Sequence, residues 1–122
     1  MYERILVGTD GSPTAAKAVD RAAALAAALG ARLTIVSVGS PEHTDKVVAS
    51  EKERIAAAHG LDVDTKTEVG DPSGVLIDLS SSYDLLVVGN KGMTGAGRFF
   101  LGSVPNKVSH HTPCSLLIVH TT

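Results

Sequence analysis

Aromatic side chains are nearly missing from this chain: Trp is absent, and Phe and Tyr together supply 3% of its 122 residues. That excludes the proteins that hold single-stranded nucleic acid on stacked aromatic faces. Cysteine is scarcer still, with Cys114 the single one. No internal disulfide is possible, and a reducing cytoplasm is the expected location. An excess of either charge is lacking too. Eleven Lys and Arg stand against 13 Asp and Glu, a net charge of −2, which gives no bulk attraction to DNA or to an anionic membrane. Neither nucleic acid nor a membrane is therefore an expected partner. Long apolar runs are also wanting. The opening MYERILVG puts an acid and a base ahead of a run too short and wrongly flanked for a signal peptide or a membrane span.

What is present is an ordinary globular composition, 43% hydrophobic and 20% charged, at a length that supports one domain, residues 1–122, and not two. Residues 4–8 (RILVG) form a short run apolar on both sides, as expected of a central parallel strand. Ser12 then caps a helix whose first residue is Pro13. Ala15, Ala18, Val19, Ala22, Leu25, Ala26 and Leu29 recur at spacings of three and four, giving this helix an apolar stripe that ends before Gly30. Residues 33–38 (LTIVSV) are a β-branched second strand. A second helix runs to about His59 with a thin stripe of Val48, Ile55 and Ala56, which predicts a surface helix. Residues 61–69 alternate apolar or Thr with charge, predicting an edge strand with one solvated face. A short third helix follows Gly70-Asp71-Pro72. Residues 84–89 read as strand four, 103–111 as helix four, and 115–119 (SLLIV) as strand five.

Strands alternating with helices predict an open five-stranded parallel sheet with helices on both faces, because each crossover must be right-handed. In such sheets ligands bind beyond the carboxyl ends of the strands, where the strand order reverses. The order 3-2-1-4-5 places that reversal between strands one and four. The loops there are Thr9 to Ser12 and the segment VVGNKGMTGAGRFFLGSV, residues 87–104. A glycine-rich loop between a strand and a helix is an anion cradle, because the backbone can approach the ligand and the N–H groups of the helix's first turn are unpaired. Two better-known phosphate loops are excluded. The chain contains no Gly-Lys pair for a Walker loop, and the dinucleotide pattern that Gly95 and Gly97 would begin meets Phe100 where Gly or Ala is required.

The remaining pattern is Gly89, two residues, Gly92, nine residues, then Gly102-Ser103. It resembles the nucleotide loop of the universal stress protein family, G-x2-G-x9-G-[ST], at every fixed position. The likeness extends over VGTDGSP after strand one, LGSV before the last helix, and PCSLLIV at the end. The resemblance implies an adenine nucleotide alpha hydrolase-like fold and a nucleotide-responsive stress protein. It would bind ATP, with or without Mg2+, with adenine near Val38 and the strand-one loop of Gly8, Thr9 and Asp10. Asp10 suits ribose hydroxyls better than phosphate, since adjacent anions repel. Gly89 and Gly92 would line the ribose and α-phosphate, and Gly102, Ser103 and Val104 would offer N–H groups to the outer phosphates. Pro105 has no N–H, and the connection from strand two to helix two is short. The segments SVPNKVS and LLIVHTT are similar to family members some of which bind cyclic AMP, a ligand with no outer phosphates, so the resemblance implies cyclic AMP as the alternative ligand, and slow ATP hydrolysis as the alternative activity. The family also commonly pairs through the last strand, so a homodimer is expected, in keeping with a long apolar edge strand that needs covering.

Single residues add less. Asp10 could instead form an Asx turn with Gly11. Lys91 and Arg98 could neutralise phosphate or be solvated. His110 and His111, adjacent on a helix, point their rings about 100° apart and so make a poor metal pair. Cys114 reads as a small core residue. No side chain is identifiable as the base that would activate water at a γ-phosphate, so efficient turnover is not expected and no catalytic residue is assigned.

Overall fold

A computed structural model describes residues 2–90 and 112–121. The expected helix at 103–111 lies outside the described residues. Five parallel strands run in the order β3-β2-β1-β4-β5, with β1 Arg4–Gly8, β2 Arg32–Val38, β3 Asp64–Glu68, β4 Leu85–Gly89 and β5 Ser115–Val119. Helices α1 Pro13–Leu29, α2 Pro41–His59 and α3 Pro72–Ser80 connect the first four strands. This is the topology expected from the sequence. α1 and α2 cover one face, where Ile5, Val7, Leu33, Ile35 and Val87 meet Ala18, Ala22, Ala26, Val48 and Ile55. α3 covers the other, where Leu6, Val36, Leu86 and Val88 meet Leu76. β1 and β4 have apolar side chains buried on both faces, which is why they read as unbroken apolar runs.

Local chemistry sets the helix ends. Ser12 Oγ accepts from Ala15 N at 3.1 Å, and Asp71 Oδ2 accepts from Gly74 N at 3.0 Å, each satisfying an otherwise orphaned donor of a first turn. Gly30, left-handed at φ 66°, ends α1 by donating to Ala26 O. The buried stripe of α1 is alanine and valine, including Ala23, while Leu29 stays 48% exposed. Such a stripe lets the helix lie close on the sheet.

Three details differ from the sequence expectation. Residues 64–67 of β3 are exposed on both faces, because β3 is the outermost strand and the apolar Leu61 and Val63 are used against the core just before it starts. On α2, Ala56 faces solvent while Glu51 is 6% exposed. Glu51 accepts from Arg54 at 2.6 Å, and Arg54 reaches Asp20 of α1 at 2.8 Å, as does His59 at 3.1 Å. Burial alone would raise the Asp20 carboxyl, but the hydrogen bonds and charges of Arg54 and His59 outweigh it and hold the group below the ordinary carboxylate value. Finally, Asp84 precedes β4 rather than opening it. Its Oδ2 accepts from the backbone N–H of Glu3 and of Arg4, both at 2.9 Å, so the carboxylate ties the entry of β1 to that of β4.

Those two N–H groups hold the Asp84 carboxyl below its ordinary 3.8. A carboxyl depressed in the folded state contributes stability that is present above the unfolded value and lost as pH falls through the folded one. Urea midpoints of the wild-type protein are therefore expected to fall as pH drops below 3.8. Asp84→Asn should be less stable at neutral pH and should show a shallower acid decline; an identical acid decline would contradict the assignment.

Candidate functional site

The chain runs from β1 through β2 to β3 in one direction and from β4 to β5 in the other, so the strand order reverses between β1 and β4. Five of the expected site residues are described. Gly8 ends β1, Thr9 and Asp10 follow it, Val38 ends β2, and Gly89 ends β4. These three strands are neighbours, so the fold brings all five to one sheet edge. Gly92, Gly102, Ser103 and Val104 lie outside the described residues, as do Lys91, Arg98, Pro105, His110 and His111.

Three backbone donors of the strand-one loop are spent internally. Thr9 N donates to Val36 O at 3.0 Å, Gly11 N to Thr9 Oγ1 at 3.0 Å, and Ser12 N to Asp10 Oδ1 at 3.0 Å. Pro13 has no N–H to add. The side-chain oxygens of Thr9 and Asp10 thus take up two of the loop's backbone donors. Asp10 forms the Asx turn considered above, but that turn occupies only Oδ1; Oδ2 is buried and has no partner among the described residues. A buried carboxylate oxygen without a donor is costly, which marks it as a place for a ligand hydroxyl, a water or a cation. Among the described residues no three His, Cys, Asp or Glu side chains are grouped to hold a metal ion.

Val38 is half-buried and its side chain packs on the α3 side with Val36 and Leu76, an apolar surface at the rim of the same edge. Cys114, also partly buried, packs on that face too, and its Sγ donates to Ser115 O at 3.3 Å.

Sequence reasoning did not single out the polar groups around this edge. Two residues, Gly39 and Ser40, join β2 to α2, and the first turn of α2 thereby comes down beside the strand-one loop. His43 Nε2 lies 3.3 Å from Asp10 O, and Gly11, His43, Lys46, Val47, Ser50 and Glu51 line a cavity of about 220 Å³. The hydroxyls of Ser37 and Thr44 are buried and unpaired among the described residues. The brevity of that connection was the available signal. Beyond β4, Asn90 Oδ1 accepts from Thr121 N at 2.7 Å. Its place between the first two glycines of the motif gave no hint of this bond.

Gly11 has φ 84°, and a Cβ built there would lie 2.8 Å from Val47 Cγ2. Gly11→Ala combines a left-handed backbone penalty with that overlap and should cost about 1–3 kcal/mol in chemical denaturation. Adding Val47→Ala should recover none of the backbone part and relieve only the overlap. Full stability in the single variant would show that the loop is not held as described.

The sequence model of the universal stress protein family matches residues 1–55 and 42–120. The universal stress protein Rv1636 of Mycobacterium tuberculosis is 37% identical over 144 residues, covering 99% of this chain and 98% of the relative. Its crystal structure superimposes with a TM-score of 0.68, covering 99% and 97% of the two chains. A universal stress protein crystallised in complex with cAMP superimposes with a TM-score of 0.82 at 33% identity, covering 99% of each chain.

Proposed function

The chain belongs to the universal stress protein family, and from that premise we propose that it binds an adenine nucleotide at the β1/β4 strand-order reversal and acts as a nucleotide-responsive stress protein with little or no hydrolysis. The observation that carries this reading is Asp10. One of its oxygens shapes the loop, and the other is buried and unpaired among the described residues, as a ribose hydroxyl would require. Gly8 and Gly89 flank it without side chains to obstruct a ligand. Val38 offers an apolar surface for the base.

With the Gly11 and Ser12 N–H groups already used, phosphate would be met by the Gly92, Gly102, Ser103 and Val104 N–H groups. The complete G-x2-G-x9-G-S pattern favours ATP, with or without Mg2+. The cAMP complex of a relative 33% identical over its whole length favours cyclic AMP as the second reading. No helix among the described residues is long and apolar enough to cross a membrane, and a cytoplasmic location is part of the proposal. So is a homodimer: β5 is an outer strand of the sheet with Ile118 42% exposed, and a second copy pairing along it would cover that edge.

Isothermal titration of the purified protein with ATP and with cyclic AMP tests the reading. At least one is expected to bind. Asp10→Asn preserves an acceptor for Ser12 N but replaces the free oxygen with a donor. It should weaken binding by about tenfold or more, the scale of one lost hydrogen bond to a charged group, with the melting temperature of the free protein little changed. Absence of binding by both nucleotides, or undiminished binding by the variant, would contradict the proposal.

A further inference from the structure

Gly89 ends β4 at the proposed site, and the residue after it is held from three directions. Asn90 N donates to Val119 O at 2.8 Å, extending the β4–β5 ladder past the last strand residue. Asn90 Oδ1 accepts from both Thr121 N at 2.7 Å and Thr121 Oγ1 at 3.2 Å. Asn90 Nδ2 lies 3.2 Å from His120 Nδ1. Thr121 is itself 2% exposed, and its carbonyl accepts from Lys17 Nζ of α1 at 3.1 Å.

The chemistry of these contacts fixes the state of each group. A backbone N–H only donates, so the Asn90 atom facing Thr121 N must be oxygen, and the amide cannot be flipped. The atom facing His120 is then the amide nitrogen, which only donates. His120 Nδ1 then accepts in this contact, which is the arrangement of the Nε2–H tautomer. The outcome is a continuous connection across the strand-order reversal. Asp10 and Ser12 shape the start of α1; Lys17, in that helix, grips Thr121; Thr121 and His120 grip Asn90; and Asn90 fixes Gly89.

We propose that Asn90 is a positioning residue for the nucleotide site: its amide, clamped between Thr121 and the Nε2–H tautomer of His120, holds Gly89 in register with the Asp10 loop on the other side of the reversal. The inference rests on the adenine-nucleotide reading above. Its physical basis is preorganisation, since a backbone segment already held in its binding geometry loses less freedom when the ligand arrives.

Titration calorimetry with ATP and cyclic AMP on wild type, Asn90→Ala, His120→Ala, His120→Gln and the Asn90→Ala/His120→Ala double variant tests it. Asn90→Ala is expected to weaken nucleotide binding by about tenfold, the size of one or two net hydrogen bonds. His120→Ala should weaken it by less, and the double variant by no more than Asn90→Ala alone, because the two side chains act as one unit. His120→Gln, whose carbonyl can accept from the Asn90 amide, should restore the affinity lost in His120→Ala. Ring 15N spectra of the free wild-type protein should show the Nε2–H tautomer of His120, with tautomers mixed in Asn90→Ala. Wild-type binding with Asn90→Ala affinity within twofold, additive losses in the double variant, or an Nδ1–H tautomer in the wild type would each overturn the positioning role while leaving nucleotide binding intact. Failure of the wild type to bind either nucleotide would overturn both.

Discussion

Right-handed crossovers are the constraint on which the site depends. Two of them carry the chain from β1 outward to β3, and the return to β4 on the other side of β1 sends the following connection away in the opposite direction. The carboxyl ends of β1 and β4 therefore stand at the middle of the sheet where the strand order reverses, a position set by topology before any side chain is considered. The apolar runs of β1 and β4 are buried at this centre on both faces of the sheet.

The two sides of this reversal divide the chemistry. On the β1 side, side-chain oxygens of Thr9 and Asp10 consume the backbone donors of Gly11 and Ser12, leaving a surface that accepts hydrogen bonds. A ligand with hydroxyls suits it, and a ligand that presents an anion to it does not. On the β4 side the glycines of the motif begin. An adenine nucleotide has the matching asymmetry, with hydroxyls on the ribose and negative charge on the phosphate. The short β2–α2 connection adds a local feature. It brings α2 onto the strand-one loop closely enough that Val47 fills the space a side chain at position 11 would need.

The architecture was legible in the sequence because period, caps and punctuation agreed. The alanine repeat of α1, Ser12 with Pro13, and the glycines at 30 and 60 each correspond to a real helix boundary. Edges were harder to read. The alternation at 61–69 mixed residues buried before β3 with residues exposed on it, and Glu51 looked like one charge among several until its partner Arg54 was seen to bridge to α1. At the site, residue types and spacing brought Gly8, Thr9, Asp10, Val38 and Gly89 to one edge. Spacing did not reveal which oxygen of Asp10 lacks a partner among the described residues, or that Asn90 is bound to residues 30 and 31 positions further along. Such contacts depend on tertiary register, and no local pattern encodes them.

The most direct test of the account is to map backbone amide shifts of 15N-labelled protein on addition of cyclic AMP and of ATP. The account predicts perturbations concentrated at Gly8 to Ser12, Gly39 and Gly89-Asn90, the carboxyl ends of three neighbouring strands. Perturbations confined to the His43, Lys46 and Ser50 side of α2, or none with either nucleotide, would contradict it.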